Sequence, residues 1–387
     1  MDYLLTEEQK MVRDLCRQIA EEKIRPVAGE LDKKGEFPTQ IMKVIADSDL
    51  FGIYLPEEYG GTGGGVLELC IATEEFSKAC GGIAVCYAAS ALGTIPILLF
   101  GSQEQKKKYL PRLASGKNLA AFGLTEPEAG SDASAVSTTA KKDGDCYILN
   151  GTKHFITNGG VADIYTIVAM TDKTKGARGF SCFIVEKDTP GFTFGKKEEK
   201  MGIRASVTTE LIFNECKIPK ENLLGREGMG FIITMKTFDV SRPGVAAQAV
   251  GIAQGALDLA VEYSKERKQF GKSISAFQGI QFMIADMATQ VEAARALVYS
   301  VAREVDAGNT KVAKESAMAK LFASDTAMRV TTDAVQIFGG YGYMQDYPIE
   351  KYMRDAKITQ IYEGTNQIQR SIIALGVLKE TKKKKVR

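Results

Sequence analysis

The sequence has no tryptophan and one histidine, His154. A Ser-His-Asp triad, a Cys-His pair or a multi-histidine zinc site would have to be built around that one imidazole. Most hydrolase and metalloenzyme chemistry is therefore not expected, and nothing in the residue pattern calls for a metal. Cys-x-x-Cys is absent as well. The seven cysteines, Cys16, Cys70, Cys80, Cys86, Cys146, Cys182 and Cys216, are odd in number and loosely spaced, so reduced thiols in the cytoplasm are expected. The opening MDYLLTEEQK carries acids and no long apolar region, unlike a signal or transit peptide. No uninterrupted apolar run approaches about 18 residues, and no membrane span is expected. Charge of one sign is not in excess: 50 Lys and Arg face 48 Asp and Glu, a formal net charge of +2. No nucleic-acid partner is advertised. The one basic run, Lys382 to Lys385 with Arg387, reads as a solvated tail. There is no P-loop. The Gly-x-Gly at Gly340-Tyr341-Gly342 follows a helical segment instead of a strand, so a Rossmann turn fits poorly.

What is present is ordinary globular composition, 44% hydrophobic and 25% charged over 387 residues, enough for two or three packed domains. Residues 1–120 read as helical. Thr6 followed by Glu7 and Glu8 suggests a helix start, and Met11, Leu15, Ile19 and Ile24 recur at roughly helical spacing. The glycines from Gly60 to Gly65 break the pattern. Leu67, Cys70, Ile71 and Phe76 then fit one helical face, and the nearly continuous apolar run Ile83 to Phe100 predicts a buried helix. Within 121–230 the texture changes to short apolar runs at Tyr147–Leu149, Tyr165–Val168, Phe183–Val185 and Leu211–Phe213, separated by turn formers, which predicts a β-domain. Residues 231–387 turn helical again. Long segments over Val245–Lys268, Gln278–Ala307 and Val312–Phe338, with a last one over Gln367–Leu378, predict an antiparallel bundle. The fold class is α+β.

Three segments could carry chemistry. Phe122 to Asp132 is dense in turn formers and hydroxyls, and can equally be a polar interdomain loop. Gly151 to Gly160 is a strand-like run ending in a turn; taken alone, His154 is a partly exposed strand residue and Phe155 a core aromatic. Ile361 to Gln367 puts a carboxylate, Glu363, in a loop beside Gly364. Such a group becomes a useful base when apolar neighbours desolvate it.

Together these segments resemble the acyl-CoA dehydrogenase family, closest to its short-chain or butyryl-CoA type. Further matches are Pro56–Gly61, Lys200–Arg204, Glu266–Lys272 and Met353–Lys357, so the resemblance spans essentially the whole chain. It implies an N-terminal helical domain, a middle β-domain, a C-terminal four-helix bundle and a homotetramer. It implies FAD as cofactor, lined by Phe122, Leu124, Thr125, Gly130, Ser131, Phe155, Ile156 and Thr157. Arg267, Gln269, Phe277, Gln278, Gln336, Gly339 and Gly340 would hold the diphosphate and adenine ends across a subunit boundary, and Thr365 and Gln367 would complete the site. Taken alone, Arg267 is a surface helix charge. Ser131, Phe238, Asp239, Arg242 and Gly364 match positions that touch the coenzyme A thioester; taken alone, Asp239 and Arg242 are an i,i+3 ion pair. Glu363 matches the catalytic base, which removes the proton next to the thioester carbonyl while hydride passes to the flavin, giving a trans-2-enoyl-CoA. An electron-transferring flavoprotein is the implied electron acceptor.

Subtype follows from departures. Some relatives carry the base near Arg242; here Ser241 stands there and no acid replaces it. No arginine occurs between Cys80 and Ser102, which disfavours a dicarboxylic acyl group. A cyclic acyl-CoA, the reverse enoyl-CoA reduction with an electron-bifurcating flavoprotein, and a non-catalytic assembly protein on the same fold remain alternatives. His154 has no role assigned by the resemblance.

Overall fold

Thr6 opens the first helix, α1 (Glu7–Ile19). Its hydroxyl accepts from the Gln9 N–H at 3.2 Å, and the Gln9 side chain accepts from the Thr6 N–H at 3.0 Å, a reciprocal cap. The buried face is not the one that spacing suggested. Met11 is 72% exposed and Leu15 is exposed too, while Cys16 and Ile19 are buried. A wider π-helical turn, Ala20–Ile24, inserts the extra residue that lets Ile24 stay buried five positions after Ile19. The N-terminal helices continue as α2 (Arg25–Lys34), α3 (Thr39–Asp47), α4 (Val66–Ala79), α5 (Gly81–Phe100) and α6 (Gln103–Ala114). The computed structural model describes residues 3–384; the side chains of the basic run Lys382–Arg387 lie outside the described residues.

The predicted β-domain is a sheet. Its strands are β1 (Ala120–Gly123), β2 (Thr139–Asp143), β3 (Cys146–Thr157), β4 (Ile164–Met170), β5 (Phe180–Glu186), β6 (Phe192–Lys197), β7 (Thr208–Pro219) and β8 (Leu223–Leu224). Among the described residues they run in the order β6-β7-β3-β2-β4-β5-β8, with β1 parallel to β4. Strands β4 and β5 are buried along almost their whole length, because α5 packs against β1 and β4.

The C-terminal part begins with α7 (Gly230–Glu266), a single helix that starts well before Val245. A small hairpin, β9 (Lys268–Gln269) with β10 (Lys272–Ser273), leads to α8 (Gln278–Asp306), α9 (Ala313–Phe338), α10 (Ile349–Thr359) and α11 (Asn366–Lys384). Pro243 lies inside α7 and cannot donate to the Asp239 carbonyl four residues back. Ser316 of α9 supplies the missing donor, its hydroxyl 2.7 Å from that carbonyl. Gly251 and Gly255 sit where the α4 carbonyls of Glu74 and Lys78 approach; any side chain there would collide with backbone, so these glycines set the α4–α7 spacing.

Two helices, α5 and α7, are long and apolar enough by composition to cross a membrane, but 72% and 78% of those stretches are buried inside the protein. They are core helices, and the interruptions expected to rule out a span do not weaken their hydropathy.

The three parts are tied together by polar side chains. Asp306, at the end of α8, accepts the Val66 and Leu67 N–H groups at 2.6 and 2.9 Å. It thereby caps α4 from another part of the chain. Asp306→Ala is expected to destabilise the protein by about 1–2 kcal/mol and to raise amide hydrogen exchange at the first turn of α4. Unchanged exchange at Val66 and Leu67 would show that the cap contributes nothing.

Candidate active site

One cavity of about 430 Å³ lies between α5, α7, the sheet and the loop before α11, within the usual range for a small-molecule site. The structure brings Phe122, Leu124, Thr125, Gly130, Ser131, Phe155, Ile156, Thr157, Phe238, Arg242, Glu363 and Gly364 to its walls. Val85, Ala88, Ala89 and Leu92 of α5 add an apolar stripe at helical spacing. Ser131, Asp132 and Ser134 are exposed at one side.

Phe155 is where the residue-by-residue reading fails. It is not a core aromatic: it is 61% exposed, with a left-handed φ of 56°. The register between β3 and β7 shows why. Lys153 pairs with Leu211 and Ile156 with Thr209, so His154 and Phe155 together oppose Glu210. Lys153 keeps its regular place on the core face, and the bulge after it lets Phe155 turn out into the cavity while Ile156 returns to the core. His154 steadies the bulge, with Nδ1 3.0 Å from Glu210 and its ring edge against Phe155. His154 is half-buried in its strand, as expected.

Lys153 itself is completely buried. Its ammonium donates to the Leu124 carbonyl at 3.0 Å and to Glu126 at 2.8 Å. Glu126 also accepts from the Ser137 and Thr138 N–H groups at 2.6 and 2.9 Å. Burial opposes ionisation of Glu126, yet Lys153 and these donors outweigh it and hold the carboxyl down to about 2. The pair fastens the Leu124–Glu126 loop to β3, so the two segments expected to line FAD are locked to each other.

Glu363 stands between α10 and α11 with φ 49°, followed by Gly364 at φ 93°. A left-handed glutamate costs about 1–2 kcal/mol, and the surroundings hold it there. Gln369 Nε2 donates to the Glu363 and Gly364 carbonyls at 3.1 and 2.9 Å, and Arg242 Nε lies 3.4 Å from the Glu363 carbonyl. A Cβ on Gly364 would fall 2.7 Å from Gln369 Nε2. The glycine is thus required by the turn itself, a local reason beside the expected approach of a thioester. Burial raises the Glu363 pKa above its ordinary value; the Ser241 hydroxyl, 2.7 Å from Oε2, and the charges of Arg242 and Lys320 pull the other way.

Asp239 does not line the cavity. It is buried behind Arg242, 3.9 Å from that guanidinium and 3.4 Å from Lys236. The bland reading as an i,i+3 ion pair describes its contacts. Arg242 stands over the Phe238 ring at 5.4 Å, and Phe238 packs edge-on to Phe122.

The other expected cofactor residues are elsewhere. Arg267, Gln269, Gly339 and Gly340 border a second hollow of about 500 Å³, which shares no residue with the first. Arg267 lies over Tyr341 at 5.2 Å. Gln278, Gln336 and Gln367 are exposed, Phe277 and Thr365 half-buried, and none of them lines either hollow. Among the described residues no group of three potential metal ligands occurs.

Sequence reading missed Lys153, Glu126, Lys320, Gln369 and the contact made by Ser241. A usable signal existed for Lys320, a lone charge among Ser316, Ala317, Ala319, Ala323 and Ala327 on the buried face of α9.

Lys153→Met would leave the Glu126 carboxylate buried without its counter-charge. It is expected to cost about 3–5 kcal/mol, with the double variant K153M/E126Q less impaired than K153M. Urea unfolding of the two variants against the unmodified protein checks this; equal losses in single and double variants would mean that the charge pairing is not the cause.

Comparison with known proteins agrees with this architecture. The acyl-CoA dehydrogenase N-terminal domain matches residues 6–117, the middle domain residues 121–216 and the C-terminal domain residues 228–378. Acryloyl-CoA reductase (NADH) of Anaerotignum propionicum is 54% identical over 98% of this chain and 96% of its own. The structure of butyryl-CoA dehydrogenase from Megasphaera elsdenii superimposes with a TM-score of 0.95 at 51% identity, covering 98% of this chain and all of that one. A chain from a structural study of the electron transferring flavoprotein of Acidaminococcus fermentans and flavin-based electron bifurcation gives 0.96 at 55% identity, over 98% of this chain and 100% of that one. With all three domains matched in order and half of the residues identical to such relatives, the chain belongs to the acyl-CoA dehydrogenase family of FAD-dependent enzymes.

Proposed function

We propose that the enzyme takes the α-proton of a short-chain acyl-CoA thioester on Glu363 and yields the trans-2-enoyl-CoA, with the electrons passed to an electron-transferring flavoprotein. The observation that carries this reading is the state of Glu363. Its carboxylate reaches an apolar cavity, burial makes it more basic than a solvated acid, and the Ser241 hydroxyl orients one oxygen at 2.7 Å. FAD supplies the acceptor for the hydride leaving the β-carbon.

The residues present fit that cofactor. An exposed aromatic ring, Phe155, lines the cavity together with the hydroxyl-bearing Thr125 and Thr157, a surface suited to a flat heterocycle with a polar edge. On this reading Phe122, Leu124, Gly130, Ser131 and Ile156 join that wall. Arg267, Gln269, Phe277, Gln278, Gln336, Gly339 and Gly340, with Thr365 and Gln367, serve the far end of a cofactor shared with another copy of the chain in a homotetramer. Ser131, Phe238, Arg242 and Gly364 face the thioester, with Asp239 holding Arg242.

A small acyl group is supported by the apolar α5 wall, which offers no arginine to a distal carboxylate. The Anaerotignum relative, named as a reductase, favours a second reading of the same site: reduction of a short enoyl-CoA. Reduced thiols suit a cytoplasmic setting, since all seven cysteines are unpaired and six are buried.

Glu363→Gln keeps the shape but cannot accept the proton. Flavin reduction by butyryl-CoA, followed by stopped flow at fixed FAD content, is expected to fall at or beyond the upper end of the about 10²–10⁴-fold range for a general base. Glu363→Asp keeps the charge one methylene short and retains more activity. The reverse order, with Gln nearly neutral and Asp more damaging, would make Glu363 a scaffold for its loop.

The pH dependence has a defined direction. The active form is the carboxylate, and burial raises its pKa above 4.5. The acid limb of kcat/KM, which reports the free enzyme, is therefore lost as pH falls through a midpoint above 4.5; a midpoint at or below that value would contradict a desolvated base.

A further inference from the structure

We propose that Lys320 is a positioning residue for Glu363, its buried ammonium pinning the carbonyl after the base and holding a second positive charge behind the base loop. This rests on the reading of Glu363 as the base.

Lys320 lies on α9 with no exposed surface. Its ammonium donates to the Gly364 carbonyl and to Asn366 Oδ1, both at 2.9 Å. Asn366 is itself fixed, donating to Ser324 at 2.9 Å and to Asp325 at 2.7 Å. Gly364 and Glu363 are the two left-handed residues of the loop. Lys320 fixes the Gly364–Thr365 peptide, one beyond the base, and Gln369 ties that carbonyl to the Glu363 carbonyl, so the backbone from which the Glu363 side chain departs is held from both.

The charge needs a separate explanation. Both acceptors of Lys320 are neutral, and a neutral donor would satisfy them without the cost of burying an ion. The charged groups around it are Glu363 in the loop, Arg242 and its partner Asp239 on α7, Asp325 on α9 itself, and Arg370 of α11, which pairs with Asp325 at 3.0 Å. Asp325 has Arg370, and Asp239 has Arg242 and Lys236. Among these carboxylates Glu363 acts most strongly on the Lys320 charge, ahead of Asp325, and it shares Arg242 with Asp239. Burial lowers the Lys320 pKa to about 7, the Glu363 charge opposing that fall and Arg242 adding to it. On the acid side of that value Lys320 is a cation, and its charge favours the ionised base.

Lys320→Met removes lock and charge. Lys320→Gln keeps a donor for the Gly364 carbonyl but no charge, and Lys320→Arg keeps both. In both neutral variants the acid limb of flavin reduction is expected to move up by about half to one pH unit, a three- to tenfold lower rate on that limb. The plateau rate should fall further in Lys320→Met than in Lys320→Gln, and Lys320→Arg should keep the wild-type midpoint. The protonated Glu363 carboxyl can also be titrated directly by infrared difference spectroscopy, its C=O band assigned by its absence in Glu363→Gln, and its midpoint should move with the kinetic one. Neutral variants whose midpoints stay at the wild-type value overturn the proposal. So does a finding that neither neutral variant holds FAD at any pH while Lys320→Arg does, since that makes Lys320 a folding determinant. Full flavin reduction by Glu363→Gln would instead defeat the assignment of the base, an outcome that the Lys320 variants do not produce.

Discussion

Glu363 keeps a carboxylate in a cavity walled mostly by apolar side chains, and much of the surrounding chain is arranged around that requirement. An ionised acid loses several kcal/mol of solvation on leaving water. Here the compensation comes from the Ser241 hydroxyl at the carboxylate and from the charges of Arg242 and Lys320, while Gln369 holds the Glu363 carbonyl in place. These groups lie on α7, α11 and α9. The base is thus a property of the bundle's assembly and not of its own loop. Pro243 illustrates the coupling. It breaks the α7 hydrogen-bond ladder one residue after Arg242, and Ser316 of α9 repairs the break at Asp239. The helix that presents Ser241 and Arg242 is therefore fastened to the helix that presents Lys320.

A second buried charge organises the other wall by the same physics. Lys153 and Phe155 would share a face in a regular strand, and the bulge in β3 separates them, leaving Lys153 inward and Phe155 outward. The inward lysine is tolerable only because Glu126 meets it, and that meeting draws the Leu124–Glu126 loop onto the strand. The outward phenylalanine is then available as a flat surface in the cavity. The fastening and the exposed ring thus lie on either side of one register irregularity, two residues apart in the same strand.

Much of the fold was legible because it rests on local rules. The Thr6 cap, the apolar run of α5 and the apolar runs in β3, β4, β5 and β7 are each written in a few adjacent residues. The position of Glu363 between helices was legible for the same reason, since Gly364 marks the turn. What stayed hidden depends on partners distant in sequence. Met11 and Leu15 looked like a core stripe, but which face α1 buries is decided by α4, and the π-helical turn shifts the register. Phe155 looked like core because a bulge depends on the strand opposite. Ser241 was visible only as a position lacking an acid; its hydroxyl meets a carboxylate 122 residues away. Lys320 could have been noticed as a charge on a buried face, but its acceptors lie over 40 residues downstream.

The two hollows divide the expected site in a way that bears on assembly. The first holds Glu363, Phe238, Arg242 and the exposed ring of Phe155 on one chain. The second holds Arg267 and the Gly339-Gly340 turn and shares no residue with it. Beside the second, Phe270 is 92% exposed and Tyr343 82% exposed, large apolar surfaces of the kind that association covers. On the proposed reading these are halves of different sites. Proton abstraction then depends on contacts within one chain, whereas cofactor retention depends on a neighbour. Such a division lets damage at Arg267 or Gly339 weaken cofactor binding while the geometry of Glu363 stays intact. On the same reading Ser241, Arg242, Gln369 and Lys320, the groups that hold Glu363, all come from its own chain.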